Sequence, residues 1–133
     1  LLYIHHATIE AMVNKSVFSE MKRTSKFIGV SISNREVLEE AIDSNLIDMF
    51  DALQVPAWLY LESFKHISKL PGRRLKLLTI NSSIRNRNKI PSECYRELIE
   101  TFSIFPEEIT PVILNGSRNH YKENARLFNQ LTS

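Results

Sequence analysis

Short apolar runs alternate with amphipathic segments along the whole chain. The apolar runs have the lengths of strands, and their nearly continuous hydrophobicity is typical of parallel strands that are buried on both faces. They predict five strands, at residues 1–6, 26–31, 52–56, 75–80 and 111–114.

The segments between the apolar runs carry hydrophobic residues at helical spacing. Residues 34–44 follow Ser33, and Glu36 stands three positions after that serine, so we predict a helix that begins with a capping box. Similar patterns predict further helices over residues 16–24, 60–70, 92–104 and 119–131.

Strands and helices in this order make five βα units, whose short connections require right-handed crossovers. Two architectures fit such a series. One is an open, doubly wound sheet of the flavodoxin kind, and the other is the later part of a (β/α)₈ barrel. The periodicity does not separate them, but both place a ligand at the carboxyl ends of the strands.

Composition narrows the class of protein. The 133 residues are 43% hydrophobic and 24% charged, with a net charge of +2, which is typical of one globular domain and gives no sign of a nucleic-acid surface. The single cysteine excludes an internal disulfide, and no apolar run approaches the roughly 20 residues of a membrane span. We expect a single soluble, cytoplasmic domain over residues 1–133, and the opening "LLYIHHA" indicates that the sequence begins in the middle of a fold.

Two small basic clusters, at residues 73–76 and 85–89, are weak candidates for an anionic ligand. Such clusters are more often solvated loop ends, and that interpretation stays open beside the functional one.

Two consecutive histidines, His5 and His6, follow the first predicted strand. Neighbours on a strand point to opposite faces, so only one of the two can face a pocket. A neutral imidazole there could donate a hydrogen bond to a substrate carbonyl, whereas a structural histidine is the competing interpretation. No Asp, Glu, Cys or third His stands at ligand spacing, so the pattern does not indicate a metal site.

The next two strands end in side chains that suit a ligand amide. Ser31 offers a hydroxyl and Gln54 a carboxamide, although Ser31 could instead cap the helix that follows it. The turn "NGSRN" at 115–119 precedes a predicted helix and would suit a phosphate, or it is a plain turn. Neither G-x-G-x-x-G nor a P-loop motif occurs.

Taken in order, "LLYIHH", "KFIGVSIS", "LQVP", "LLTINSS" and "VILNGSRN" followed by "KEN" resemble the later strands of the aldo/keto reductase family. The family patterns are "LxLIHxP", "IRxIGVSN", "xQVxYN", "xxAYSPL" and "VIPGxRxxxxxxEN". The resemblance covers nearly all of the chain and implies the fourth to eighth strands of a (β/α)₈ TIM barrel. It also implies an oxidoreductase that uses NADP(H) or NAD(H) on a small carbonyl or alcohol substrate and that requires the remaining N-terminal part of the barrel.

The resemblance further implies roles for individual residues. His5 matches the catalytic histidine that polarises the substrate carbonyl. Ser31 and Gln54 match the groups that hold the nicotinamide carboxamide. The other matched positions also belong to the cofactor site: Asn81 beside the nicotinamide ring, Ser82 near the pyrophosphate, Ser117 and Arg118 at the adenosine phosphate, and Glu123 and Asn124 at the adenine.

Several positions depart from the family pattern. Ile32 replaces an asparagine, Asn81 replaces the aromatic residue that stacks on nicotinamide, and the turn after Arg118 is about two residues shorter. The family's catalytic tyrosine, lysine and aspartate come from earlier strands and have no counterpart in these residues. The sequence thus predicts part of an active reductase, or alternatively part of a catalytically inactive barrel that serves as a binding or subunit-contact module.

Overall fold

A parallel sheet runs through the part of the chain that the computed structural model describes, which is residues 2–81, 91–102 and 110–114 together with residues 122, 125, 126 and 129. Its strands are β1 (Leu2–Ile4), β2 (Ile28–Ser31), β3 (Ala52–Pro56), β4 (Leu77–Asn81) and β5 (Thr110–Leu114). All five predicted strands are confirmed, with bounds shifted by up to two residues.

The spatial order of the strands is their order in the chain, β1-β2-β3-β4-β5, and every adjacent pair is parallel. A doubly wound sheet instead reverses its strand order at a switch point, as in the flavodoxin order 2-1-3-4-5. Within the described strands there is no such reversal. The chain is therefore an α/β protein built from successive βα units.

Helices connect the strands. They are α1 (Ile9–Met12), α2 (Lys15–Thr24), α3 (Arg35–Asp43), a 3-10 helix (Leu46–Met49), α4 (Ala57–Glu62), α5 (Phe64–Ile67) and α6 (Pro91–Thr101). The helix predicted over 60–70 is in fact two short helices that meet at Ser63, and α1 and the 3-10 helix were not predicted. Of the helix predicted over 119–131, only residues 122, 125, 126 and 129 are described, and all four are helical.

One face of the sheet is apolar and buried. Alternate residues of a strand share a face, and this alternation places fully buried aliphatic side chains together on one side of the sheet: Ile28, Val30, Leu53, Val55, Leu78 and Ile80. They belong to one hydrophobic cluster with buried residues of α3 and α4, such as Leu38, Ile42 and Leu59. The helices therefore bury this first face.

The second face carries small and polar residues instead. The strand registers place Tyr3 beside Gly29, and Gly29 beside Ala52. A Cβ atom on Gly29 would lie 2.6 Å from Cε1 of Tyr3, so the tyrosine ring lies directly over this glycine. Only glycine leaves room for the ring there.

The amino ends of the strands are tied together by Asp51, which precedes β3. Its carboxylate Oδ2 accepts a hydrogen bond from the Ile28 amide at 3.0 Å, and its carbonyl oxygen accepts from the amides of Lys76 and Leu77. Arg74 lies 3.7 Å from the other carboxylate oxygen. These contacts stabilise the edge of the sheet opposite to the candidate site.

The basic cluster at 73–76 begins with a structural arginine. Arg73 makes a bidentate pair with Asp48, at 2.8 and 3.0 Å, and also donates to the Ile42 carbonyl and to Asn45 Oδ1. Asn45 has a left-handed backbone, with a φ of 65°, where the chain leaves α3. The guanidinium thus closes the carboxyl end of α3, which favours the structural interpretation of this cluster. The cluster at 85–89 lies outside the described residues.

In the part of the chain that is described, no helix has the length and apolar character needed to cross a membrane.

Candidate functional site

Three polar side chains form a row across the carboxyl half of the sheet. Ser31 of β2 pairs in register with Gln54 of β3, and Gln54 pairs with Thr79 of β4. Residues in register on parallel strands lie on the same face, which here is the second face. Ser31 is 7% exposed and Thr79 is 6% exposed, while Gln54 is partly exposed. The structure therefore brings Ser31 and Gln54 side by side.

His5 and His6 form a bulge beside Ser31. The register places Ile4 opposite Val30, so a regular strand would place the His6 amide opposite the Ser31 carbonyl. Instead the amide of Ala7 donates to that carbonyl at 2.8 Å, so one extra residue lies on the β1 side. Bulges of this kind redirect side chains and are frequent next to active sites.

The backbone of His6 makes this bulge possible. His6 has a φ of 43°, a left-handed conformation that is uncommon for a residue other than glycine. Its imidazole Nδ1 lies 3.1 Å from Ser33 Oγ, and both side chains are exposed. Ser33 is therefore not the helix cap that the sequence predicted. Asn34 caps α3, because its side chain accepts from the Val37 amide at 3.1 Å.

His5 lies at the same edge of the sheet as Ser31. It follows the last residue of β1 directly, its side chain is exposed, and its ring centroid is 6.1 Å from that of His6. The hydrogen bond to Ser33 engages the imidazole of His6, so His5 is the better candidate of the two for contact with a ligand.

The groups assembled here can recognise a neutral polar ligand. An imidazole, two hydroxyls and a carboxamide all form hydrogen bonds, and the row of Ser31, Gln54 and Thr79 carries no charged side chain. In the described ranges, no group of three or more His, Cys, Asp or Glu residues could hold a metal ion. The chemistry of this edge suits a carbonyl or a carboxamide.

The remaining predicted site residues are only partly placed. Asn81 is the last residue of β4 and pairs in register with Pro56 and Leu114, two positions beyond Thr79 toward the carboxyl edge. The predictions for the cofactor phosphates and adenine fall on residues outside the described ranges: Ser82, Ser117, Arg118, Glu123 and Asn124.

Two residues of this region were not predicted from the sequence to belong to the site. Thr79 is a polar residue between Leu78 and Ile80 in a continuous apolar run, and a count at strand period would have placed it on the face of Ser31 and Gln54. The second, Ser33, has no comparable signal, because its contact with His6 depends on a loop conformation.

Perturbed titratable groups lie away from this edge. Burial raises the pKa of Tyr60 to about 12, and the hydrogen bond between its hydroxyl and Thr101 Oγ1, at 2.6 Å, offsets part of that rise. On the outer surface, the Arg35 guanidinium lowers the pKa of Glu39, and the Lys69 ammonium lowers the pKa of Asp43. His66 lies between these two carboxylates, at 3.6 and 3.3 Å. These contacts join α3 to α5 and are stabilising rather than catalytic.

No protein-family model, curated protein or solved structure matches the chain. The functional assignment therefore depends on the residues at the carboxyl edge of the sheet.

Proposed function

We propose that these residues form the fourth to eighth strands of a (β/α)₈ barrel that binds NADP(H) or NAD(H), in an oxidoreductase of the aldo/keto reductase type. The observation that carries the proposal is the pairing in register of Ser31, the last residue of β2, with Gln54 of β3, which sets the two polar side chains side by side in the carboxyl half of the sheet. Substrates and cofactors of such barrels bind at that edge.

Ser31 and Gln54 together match the hydrogen-bonding needs of one primary carboxamide. Their strands lie about 4.8 Å apart, so both side chains can reach one small planar group. The Ser31 hydroxyl would donate to the carboxamide oxygen, and Gln54 Oε1 would accept from its NH₂ group. The two contacts would fix the plane of the nicotinamide ring.

His5 would act on the substrate. From its position beside Ser31, the imidazole can donate a hydrogen bond to a carbonyl oxygen and stabilise the negative charge that develops there. The reduced nicotinamide, if bound beside Ser31 and Gln54, would supply the hydride for the carbonyl carbon. The proton for the oxygen would come from a tyrosine on an earlier strand, which would belong to a longer parent chain.

Two features favour the second candidate function, a barrel that binds the nucleotide or a partner subunit without turnover. Ile32 stands where the family has an asparagine, and its side chain is fully buried, so it offers the ligand no hydrogen bond. Asn81 ends β4 where the family has an aromatic ring. The loss of such a stacking contact weakens binding by about 1 kcal/mol.

Fluorescence titration of the full-length parent protein with NADPH or NADH tests the proposal. We expect quenching by the wild-type protein and weaker binding, by about tenfold, for Gln54→Ala, because a hydrogen bond to the carboxamide is lost. Lys65→Ala, an exposed change on α5, is the matched control and should bind like the wild type. Absence of binding in all three proteins would refute the proposal.

A turnover assay then separates the two candidate functions. The full-length parent protein is mixed with the reduced nucleotide and a panel of aldehydes and ketones. The absorption band of the reduced nicotinamide is then followed over time. If the wild type oxidises the nucleotide and His5→Ala does so more slowly, the result supports the enzyme hypothesis. Binding without oxidation supports the inactive module.

A further inference from the structure

The helix α2 packs against the rest of the protein through two side chains. Phe18 and Met21 are partly buried and contact the hydrophobic cluster, and the Phe18 ring meets the Phe50 ring edge-on at a centroid distance of 6.2 Å. None of the ten residues of α2 is buried. Most of the surface of this helix therefore faces solvent.

Exposed apolar side chains are concentrated at the two ends of α2. Among the described residues, the large hydrophobic side chains that are exposed are Val13, Val17 and Phe27, with exposed fractions of 50%, 39% and 51%. Val13 and Val17 flank the start of the helix, and Phe27 follows its end by three residues. Exposed apolar residues that gather on one segment indicate a surface that another molecule covers.

The segment between these apolar residues is basic. Its four cations are exposed: Lys15, Lys22, Arg23 and Lys26. The one acidic residue of the segment, Glu20, pairs with Arg23 at 2.6 Å, whereas the three lysines form no ion pair within the described ranges. The segment is thus more basic than the whole chain, whose net charge is +2.

Two of these lysines lie over aromatic rings. Lys22 Nζ is 5.8 Å from the centroid of Phe18, and Lys26 Nζ is 5.8 Å from that of Phe27. In this arrangement the aliphatic stem covers an apolar ring while the ammonium group stays in solvent. Side chains take the same arrangement at the surface of a bilayer, where the ring enters the lipid and the ammonium group meets the headgroups.

We propose that residues 13–27 bind the anionic lipid surface of a bilayer. The helix lies flat on the surface, its lysines contact the lipid phosphates, and Val13, Val17 and Phe27 enter the boundary of the headgroups. Opposite charge attracts the segment, and the exposed apolar side chains add to binding because they leave water. This surface is separate from the proposed nicotinamide site, so either can exist without the other.

The spacing of the apolar residues favours lipid over a protein partner. The ten residues of α2 span about 15 Å, so Phe27 lies a helix length away from Val17, with cations between them. A specific protein interface has a continuous core from which charged residues are depleted. A fluid lipid surface instead accepts apolar side chains one at a time beside lysines.

Sedimentation of the full-length parent protein with lipid vesicles tests this proposal. We expect binding to vesicles of phosphatidylcholine with phosphatidylserine, much weaker binding to vesicles of phosphatidylcholine alone, and release by added salt. Lys22→Gln combined with Lys26→Gln should weaken binding about 30-fold, because two cations near an anionic surface are lost. Phe27→Ser keeps every charge and should weaken binding about tenfold.

Lys65→Gln combined with Lys76→Gln is the matched control. Both lysines are exposed and lie elsewhere in the chain, and their replacement changes the net charge by the same amount. This variant should bind like the wild type. An equal loss of binding in the control would show attraction by net charge alone and would overturn the assignment to residues 13–27.

A wild type that binds neither kind of vesicle would overturn the proposal. Binding to poly-glutamate without binding to vesicles would also overturn it, because that result indicates an acidic protein partner.

Discussion

The imidazole Nδ1 of His6 lies 3.1 Å from the hydroxyl oxygen of Ser33, and this contact joins the loop after β1 to the loop before α3. It closes a bulge in which two histidines take the place of one residue beside Ser31. His6 adopts a left-handed backbone to do so, with a φ of 43°. The loop that presents His5 is thus held at two points, the Ser33 hydroxyl and the Ser31 carbonyl.

Replacement of His6 should separate backbone strain from the side-chain contact. Glycine adopts positive φ without strain, whereas alanine keeps the strain and also loses the hydrogen bond. We expect His6→Ala to be less stable than His6→Gly by about 1 kcal/mol in urea unfolding. Equal stability of the two variants would show that the backbone of His6 is not left-handed in solution.

Gly29 should tolerate no larger residue while Tyr3 is present. The added Cβ would lie 2.6 Å from the tyrosine ring and 3.1 Å from Ala52 Cβ, so Gly29→Ala should lower the free energy of unfolding by about 1–3 kcal/mol.

A double-mutant cycle with Tyr3→Leu checks the cause. The smaller side chain should relieve part of the cost of Gly29→Ala, because the two residues are in contact. Gly72→Ala is the contrast, since its cost arises from a φ of +84° in open space and Tyr3→Leu should leave it unchanged. Additive effects of Gly29→Ala and Tyr3→Leu would argue against the ring lying over Gly29.

The buried hydroxyl of Tyr60 should make stability fall at alkaline pH. The pKa of Tyr60 is raised to about 12 by burial, so folding disfavours the phenolate. The stabilising contribution to the free energy of unfolding is complete below the tyrosine pKa of about 10 in the unfolded chain. It is lost as the pH rises through the pKa of Tyr60 in the folded protein. Tyr60→Phe should cost about 1 kcal/mol near neutral pH, since the hydrogen bond between Tyr60 and Thr101 is lost. Urea unfolding from pH 8 to 11 should show a smaller alkaline decline for this variant than for the wild type.

The carboxylates between α3 and α5 should make stability fall in acid. The pKa values of Glu39 and Asp43 are lowered, mainly by Arg35 and Lys69 respectively. Their stabilising contribution to the free energy of unfolding is therefore present above the ordinary pKa range of carboxyl groups. It is lost as the pH falls through the lowered pKa values. Arg35→Gln combined with Lys69→Gln should flatten the acid limb of the stability profile. Parallel profiles for this double variant and the wild type between pH 6 and 3 would contradict the assignment.

The strands were predictable because each is a short apolar run between polar segments. Burial on the helix-covered face fixes Val30, Leu53 and Ile80 as hydrophobic, and the sequence shows it directly. The chain-order arrangement of the strands did not follow from periodicity, because open sheets and barrels use the same hydrophobic pattern. It depends on which strands pair, and pairing is a long-range property.

The site was predictable at Ser31 and Gln54 and was incomplete elsewhere. Ser31 ends an apolar strand and Gln54 interrupts one, so a polar side chain stands out at each position. The helix cap at Ser33 was predicted one residue too early, because Ser33 and Asn34 are both good caps and the contact with His6 decides between them. The left-handed His6 could not be predicted, since histidine has no strong preference for that conformation.

A crystal structure of the full-length parent protein, from crystals soaked with the oxidised dinucleotide, tests the proposed nicotinamide site most directly. We predict that the nicotinamide lies at the carboxyl edge of the sheet, with its carboxamide within hydrogen-bonding distance of Ser31 Oγ and Gln54 Oε1. A dinucleotide bound at the amino edge beside Asp51, or on the helix-covered face, would contradict the proposed function.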